Sequence, residues 1–314
     1  MKRSSIIILV TMLMSMVVST ASAHDIEVKN KDGVTIYYCW QEDDENEETV
    51  LVVTCRGDSF DSYENEYSGE VIIPSQVSYN GKTYKVTEIG SRAFLGCSDL
   101  TSVIIPNSVT WIGEWAFEDC SSLTSVIIPN SVKRIENGAF VDCSSLTSIT
   151  FPNSVISFNL WVFDGTPWYD NQPDGLVYAG KVAYKYKGEI PANTHITIKD
   201  GTLAINESVF IFCENREDLV SITIPSSVTI IGGSAFSGCS GLTSVTIPNS
   251  VESIGWGAFS GCSGLTSISI PNSVEFIDFD AFEGCSKLAS IRVESGNAFY
   301  DSRNNCRELY TCWQ

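Results

Sequence analysis

Six cysteines fall in two sets of three, at 97, 120 and 143 and again at 239, 262 and 285, and every step within a set is 23 residues. Around them one phrase returns. It reads Leu123-Thr124-Ser125-Val126-Ile127-Ile128-Pro129-Asn130-Ser131-Val132, then Ile135, Ala139-Phe140 and Cys143. The copy from Leu242 repeats it almost letter for letter and ends in Ala258-Phe259 and Cys262. A fixed period of this length is the mark of a repeat solenoid, and the spacing of Leu123, Val126, Ile128 and Asn130 follows the strand segment of leucine-rich repeats.

Such a unit cannot stand alone. Ordering each residue costs roughly 1–2 kcal/mol of backbone entropy, while each large apolar side chain returns roughly 1.5–3 kcal/mol on full burial. One copy of 23 residues offers too few apolar groups, so neighbours on both sides must close the deficit. Alternation across the strand sends Val126 and Ile128 inward and leaves Ser125 and Ile127 outside. Pro129, which lacks an N–H, ends the strand. Val132 and Ile135 line a second short segment, and Ala139-Phe140 fits a tight turn or short helix between the layers.

Degenerate copies extend the register. Val71, Ile73 and Pro74 open an early one, interrupted from Ser78 to Lys85 before Ile89, Ala93-Phe94 and Cys97 restore it. Phe163 holds the phenylalanine position with Thr166 where a cysteine is due, and Ile196, Ile198, Ile205, Phe210 and Cys213 keep the internal spacing. Between these, residues 167–193 replace a repeat with an aromatic stretch whose centre, Leu176 to Tyr184, reads as a hairpin turning at Gly180. The expected organisation is a signal peptide at 1–23, an N-terminal β-hairpin cap at 24–70, a β-rich leucine-rich-repeat solenoid at 71–293 with its hairpin insertion, and a tail at 294–314. The cap strands run from Val34 to Trp40 and from Thr49 to Cys55. The tail shows no convincing C-terminal cover.

The first 23 residues carry Lys2 and Arg3, an apolar run from Ile6 to Val18 and the small-residue end Ala21-Ser22-Ala23. That pattern predicts export, with cleavage before His24. The apolar run is short for a membrane span, and nothing later is long enough for one. With 38 acidic against 19 basic residues, the chain is repelled by nucleic acid and by anionic membranes.

Eleven cysteines in an exported chain raise the question of disulfides. For the seven in register the answer is against: equivalent positions on stacked turns point the same way about 5 Å apart, whereas a disulfide needs converging Cβ atoms at roughly 3.8 Å. A buried ladder of free thiols is expected, leaving Cys39, Cys55, Cys306 and Cys312 unassigned. With two histidines and no C-x-x-C pair, a zinc site is not expected. Copper at His24 would need His195, which belongs to the middle of the solenoid. The acidic run 42–48 lacks the spaced ligands and turn glycine of a calcium loop and reads as a solvated hairpin loop. No G-x-S-x-G elbow or distinct carboxylate pair appears, so no catalytic residue, metal or cofactor is expected.

The whole phrase, Leu-Thr-Ser-Val-x-Ile-Pro-Asn-Ser-Val with its following Ile-Gly, Ala-Phe and Gly-Cys-Ser, resembles the BspA-like or Treponema pallidum-type leucine-rich repeat over residues 71–293. Thr166 to Tyr169 with Asp174 to Tyr178 also resembles an insertion recurring in such proteins of mucosal anaerobes, and the chain departs from the family's usual ending at Arg307. The resemblance implies secreted or cell-surface proteins, some associated with adhesion to host proteins or other bacteria, and no transferable catalytic set. From the residues themselves come export, rigidity and area. The outward strand positions are small and regular, such as Ser244/Thr246 and Ser267/Ser269. Trp111, Trp115, Trp256, Phe276 and Phe279 instead stand where sister copies carry Thr, Arg, Ser or Gly. They are candidates for an exposed interaction patch, with local packing on the convex side as the alternative. The expected function is a non-enzymatic scaffold for a protein or glycan ligand at an extracellular surface, adhesion-related. The alternative is a structural spacer or self-assembling surface element.

Overall fold

The computed structural model describes residues 24–43, 48–56 and 66–300. The expected signal peptide, the centre of the acidic run, Cys306 and Cys312 lie outside them. The chain winds into a β-solenoid of about nine turns at roughly 23-residue spacing, with almost no helix.

Each turn has three sides. A front strand, such as Ser125–Ile127, lies parallel and in register with its neighbour Ser148–Thr150, pairing Val126 with Ile149. Val126 is buried while Ser125 and Ile127 face outward. A rear strand of two residues, such as Arg134–Ile135, pairs with Trp111–Ile112 one turn earlier. Between the rear strand and the next front strand runs a tight turn holding Ala-Phe and the cysteine. Its alternate N–H groups donate to the following turn: Trp115 N to Asn137 O at 2.9 Å, Phe117 N to Ala139 O at 2.8 Å and Asp119 N to Val141 O at 3.1 Å. The same three bonds return at Ser234, Phe236 and Gly238. Positive φ brackets this segment, at Trp115 (51°) and Asp119 (57°) in one turn and at Ser234 (52°) and Gly238 (74°) in another. Left-handed backbone costs an ordinary residue roughly 1–2 kcal/mol, which the repeated ladder bonds offset.

The core is a file of rings. Phe94, Phe117, Phe140 and Phe163 stack at 4.8, 5.0 and 5.8 Å between centroids. Phe210, Phe236, Phe259 and Phe282 stack at 5.7, 5.1 and 5.7 Å. Between them stands the insertion, a short helix at Pro167–Asp170 and a hairpin of Gly175–Ala179 with Val182–Lys187 turning at Gly180. The second hairpin strand enters the rear ladder, pairing Val182 with Ala204 and Ala183 with Ile205. Tyr184 meets Phe163 at 5.6 Å and Tyr186 meets Phe210 at 5.6 Å, so two tyrosines bridge the file. The apolar core divides here into two clusters, with Tyr184 in the first and Tyr186 in the second.

Four other turns close up at a glycine after the rear strand, at Gly90, Gly113, Gly232 and Gly255, while the last has Asp278. A Cβ on Gly113 would lie 2.5 Å from Ser91 N, and one on Gly255 2.5 Å from Gly233 N. Beside the insertion the same place holds Glu136, Asn159 and Asn206.

At the N-terminal end, Ile26–Lys29, Thr35–Asp43 and Glu48–Thr54 form an antiparallel meander, and Glu48–Thr54 pairs in parallel with Lys82–Ile89 of the rear ladder. The interruption at 78–85 is a hairpin, Gln76–Tyr79 against Lys82–Ile89, turning at Asn80-Gly81. Tyr67 starts the ring file 4.5 Å from Phe94; its hydroxyl donates to Thr54 O and accepts from Tyr37 N. At the other end Tyr300 Oη accepts from Ile277 N at 2.8 Å, and the Asn297 amide donates to Pro271 O and Val274 O.

Phe140→Ala removes a ring held between two others, for an expected loss of roughly 3–5 kcal/mol. Urea unfolding monitored by hydrogen exchange checks this, and protection is expected to fall in the turns of Phe117 and Phe163 as well. A loss confined to the mutated turn would contradict the shared core.

Candidate interaction surface

The tight-turn side displays the residues that vary most between turns. Trp115 and Trp161 occupy its first left-handed position, where other turns hold Arg92, Gly138, Ser234, Gly257 and Asp280. Trp256 and Phe279 sit one residue earlier on consecutive turns, and Trp111 and Phe276 open rear strands.

The five aromatics singled out by sequence fall into two groups. Trp111 is half-buried and its indole N–H donates to Glu136 Oε1 at 2.8 Å. Trp115 lies over Gly138, where an added Cβ would come 2.6 Å from the indole Cδ1, and carries the Arg92 guanidinium 4.6 Å from its ring centre. Trp256, Phe276 and Phe279 lie on later turns and are 44%, 43% and 53% exposed. Two aromatics missed by the sequence reading complete the surface. Trp161 and Phe212 are 45% and 54% exposed, with ring centroids 6.0 Å apart across the hairpin junction. The signal was present: Phe212 stands two residues after Phe210, where sister turns place Gly96, Gly238, Gly261 and Gly284.

Around this pair is an open notch lined by Trp161, Phe212, Lys185, Glu207 and Asn159 among others. Lys185 Nζ pairs with Asp164 Oδ2 at 2.7 Å and lies 5.1 Å from the Tyr169 ring centre and 5.7 Å from that of Phe212. Behind the notch Glu136 is buried. It accepts from Trp111 and from the Asn159 amide, and its Oε1 is 2.7 Å from Arg134 Nη2. Asn206, also buried, accepts from Phe158 N at 2.8 Å. Burial raises the Glu207 carboxyl above its ordinary range, the Glu136 charge adds to this, and Arg134 opposes it. Nearby, burial raises Glu118, with Asp119 and Asp142 adding and Arg92 opposing.

Six thiols of the ladder are buried and free, while Cys213, beside the hairpin, is only half-buried, and the ladder does more than fill space. Cys120, Cys143, Cys262 and Cys285 each donate to the carbonyl of the preceding turn's phenylalanine at 3.0–3.2 Å, and Cys213 reaches Tyr186 O at 3.5 Å. Tyr186 therefore takes the phenylalanine's place in that turn. Burial pushes Cys97 and Cys285 up to about 11 and Cys239 up to about 12. Cys39 and Cys55 are half-exposed. His24 packs on the Tyr37 ring of the cap at 4.7 Å, whereas His195 in front strand Thr194–Thr197 meets Ser221 Oγ at 2.6 Å. Among the described residues no three metal-ligating side chains gather, and no helix is long and apolar enough to cross a membrane.

The model of the BspA type leucine rich repeat region matches residues 70–171 and 180–306, in six copies. The chain belongs to this family. The gap between the matched stretches covers the start of the hairpin, where the BspA type repeat is replaced. The chain is similar to three solved structures. A leucine-rich repeat protein of T. pallidum is 22% identical over 83% of this chain and 91% of that one, with a TM-score of 0.36. A leucine rich cell surface protein of Faecalibacterium prausnitzii A2-165 is 21% identical over 91% and 98%, at 0.37. A leucine-rich repeat protein of Bacteroides capillosus ATCC 29799 is 29% identical over 45% and 93%, at 0.35. No curated protein matches the chain.

Two outcomes follow for this BspA type solenoid. In native protein at pH 8, Cys97, Cys120, Cys143, Cys239, Cys262 and Cys285 resist iodoacetamide and become reactive on denaturation, as peptide mass mapping will read. Glu207, with its raised carboxyl, weakens the fold once ionised. That cost is absent below about pH 4, where the group is protonated folded and unfolded, and grows as pH rises through the raised value. Glu207→Gln therefore raises Tm at pH 7 and leaves it unchanged at pH 3.5; an equal gain at both would remove the electrostatic explanation.

Proposed function

We propose that the protein is an exported, non-enzymatic scaffold that binds a protein or glycan partner at an extracellular surface and serves adhesion. Family membership supports the scaffold part. The observation that carries the reading is the tight-turn side, where exposed Trp161, Phe212, Trp256 and Phe279 stand in places that sister turns fill mostly with small or polar residues, such as Gly, Ser, Asp, Asn or Glu. The fold closes without these rings, and exposed tryptophan and phenylalanine are costly in water yet strong anchors in an interface. Nine parallel turns at about 4.8 Å each make a rigid frame roughly 40 Å long for such anchors.

The test is surface plasmon resonance of the chain from His24 onward against immobilised matrix proteins and mucosal glycans. At least one partner is expected to bind specifically. A Trp161→Ala/Phe212→Ala or Trp256→Ser/Phe279→Ser variant is expected to lose at least tenfold in affinity at unchanged Tm, whereas Trp111→Ser loses stability through its bond to Glu136. A wild-type chain that binds nothing would refute the scaffold. The self-assembling spacer, which an uncovered C-terminal end would favour, is removed by light scattering that shows a monomer at high concentration.

A further inference from the structure

The tight-turn side of the first five turns differs from the rest in chemistry as well as in aromatic content. It carries Arg92, then Trp115 with Glu118 and Asp119, then Asp142, then Trp161 with Asp164, then Glu207 and Phe212. The corresponding places in the next two turns are Gly233, Ser234, Ser237, Gly238, Gly257, Ser260 and Gly261, apart from Trp256, and carboxylates return only in the last turn, at Asp280 and Glu283. The chain's own cations already dock at both ends of this strip. Arg92 lies on the Trp115 ring, and Lys185 is held by Asp164 against the rings of Tyr169 and Phe212. Arg134 is tied to Glu136, and Arg216 donates to Ile211 O. Between the ends, Glu118, Asp119 and Asp142 form no ion pair among the described residues, and Asp119, Asp142 and Trp161 are exposed.

This chemistry distinguishes among ligand classes. A sugar needs free hydrogen-bonding groups beside the ring it stacks on. Here the Asn159 amide is spent on Glu136, and Asn206 is buried against Phe158 N. What remains free is carboxylate and ring face; a carboxylate also accepts from sugar hydroxyls, but its charge beside a ring face favours an ammonium or guanidinium. The formal charge of −19 draws cations to the whole molecule, and the strip is where rings add short-range selection.

Building on the scaffold reading, we propose that the tight-turn side between Trp115 and Phe212 docks a basic polypeptide segment, with one long cationic side chain on the Trp161–Phe212 pair and another against Glu118, Asp119 and Asp142. Trp115 and Trp161 stand two turns apart, about 10 Å, close to one turn of a polyproline II chain, in which every third residue faces the same side. A segment with Lys or Arg at every third residue matches that pitch.

Fluorescence anisotropy with labelled (Arg-Gly-Gly)4 and (Glu-Gly-Gly)4 on the chain from His24 onward tests this. The arginine peptide is expected to bind, more weakly as salt rises, and the glutamate peptide is not. Trp161→Ala and Phe212→Ala leave the net charge unchanged, so a tenfold loss in either separates ring stacking from long-range attraction. Asp142→Asn is expected to lose severalfold, and Trp256→Ala nothing. Unchanged affinity in Trp161→Ala, an equal loss in Trp256→Ala, or a neutral glycan competing at Trp161 would each overturn the docking surface. Matrix-protein binding that survives Trp161→Ala would leave the scaffold standing and sink this surface alone.

Discussion

Every turn of this solenoid hides its phenylalanine only because the next turn brings another. Phe117 is sandwiched between Phe94 and Phe140 at 4.8 and 5.0 Å, and no residue of its own 23 could take either place. The thiol and the tight turn tie the same two neighbours together: Cys143 donates to Phe117 O, and Phe117 N donates to Ala139 O. Apolar stacking and polar satisfaction thus act across the same boundary. Buried backbone carbonyls must find donors, and a cysteine is small enough to reach one without breaking the stack.

That coupling explains the form of the interruption. A polar or shorter insert would have left Phe163 and Phe210 with one bare face each. The hairpin instead supplies two tyrosines to the ring file and one strand to the rear ladder. It does not reproduce the close approach that glycine permits elsewhere, and Glu136, Asn159 and Asn206 fill the space in its neighbourhood. They satisfy one another and nearby backbone, so the buried carboxylate is partnered on both oxygens. The seam is therefore polar without being unsatisfied, and beside it burial, with the Glu136 charge adding, raises Glu207.

The period made the register, the inward residues and the free thiols legible, because all three follow from stacking identical units. The donor role of the thiols was not legible, since side-chain composition says nothing of which carbonyl a buried group will face. The Asn80-Gly81 turn carried a hairpin signal, yet segment 78–85 reads as an interruption when only the repeat is followed. Trp161 and Phe212 were passed over for a related reason. Comparison of near-identical copies exposes Trp256 and Phe279 as departures, while a degenerate copy offers no clean template against which a departure shows.

The backbone beneath the aromatics bears on what they are for. Trp115 and Trp161 both hold positive φ at a place that sister turns give to Gly138 and Gly257. A bulky side chain there is strained by roughly 1–2 kcal/mol, and glycine would relieve the strain without loss of a core contact, since the ring stack runs through Phe117 and Phe163 instead. Trp115 recovers part of the cost by covering Gly138 and holding Arg92. Trp161 covers far less, leaving 45% of its surface in water. A strained, exposed indole that the stack does not need fits the proposed docking of a partner at the junction with Phe212 better than a role for the regular front strands.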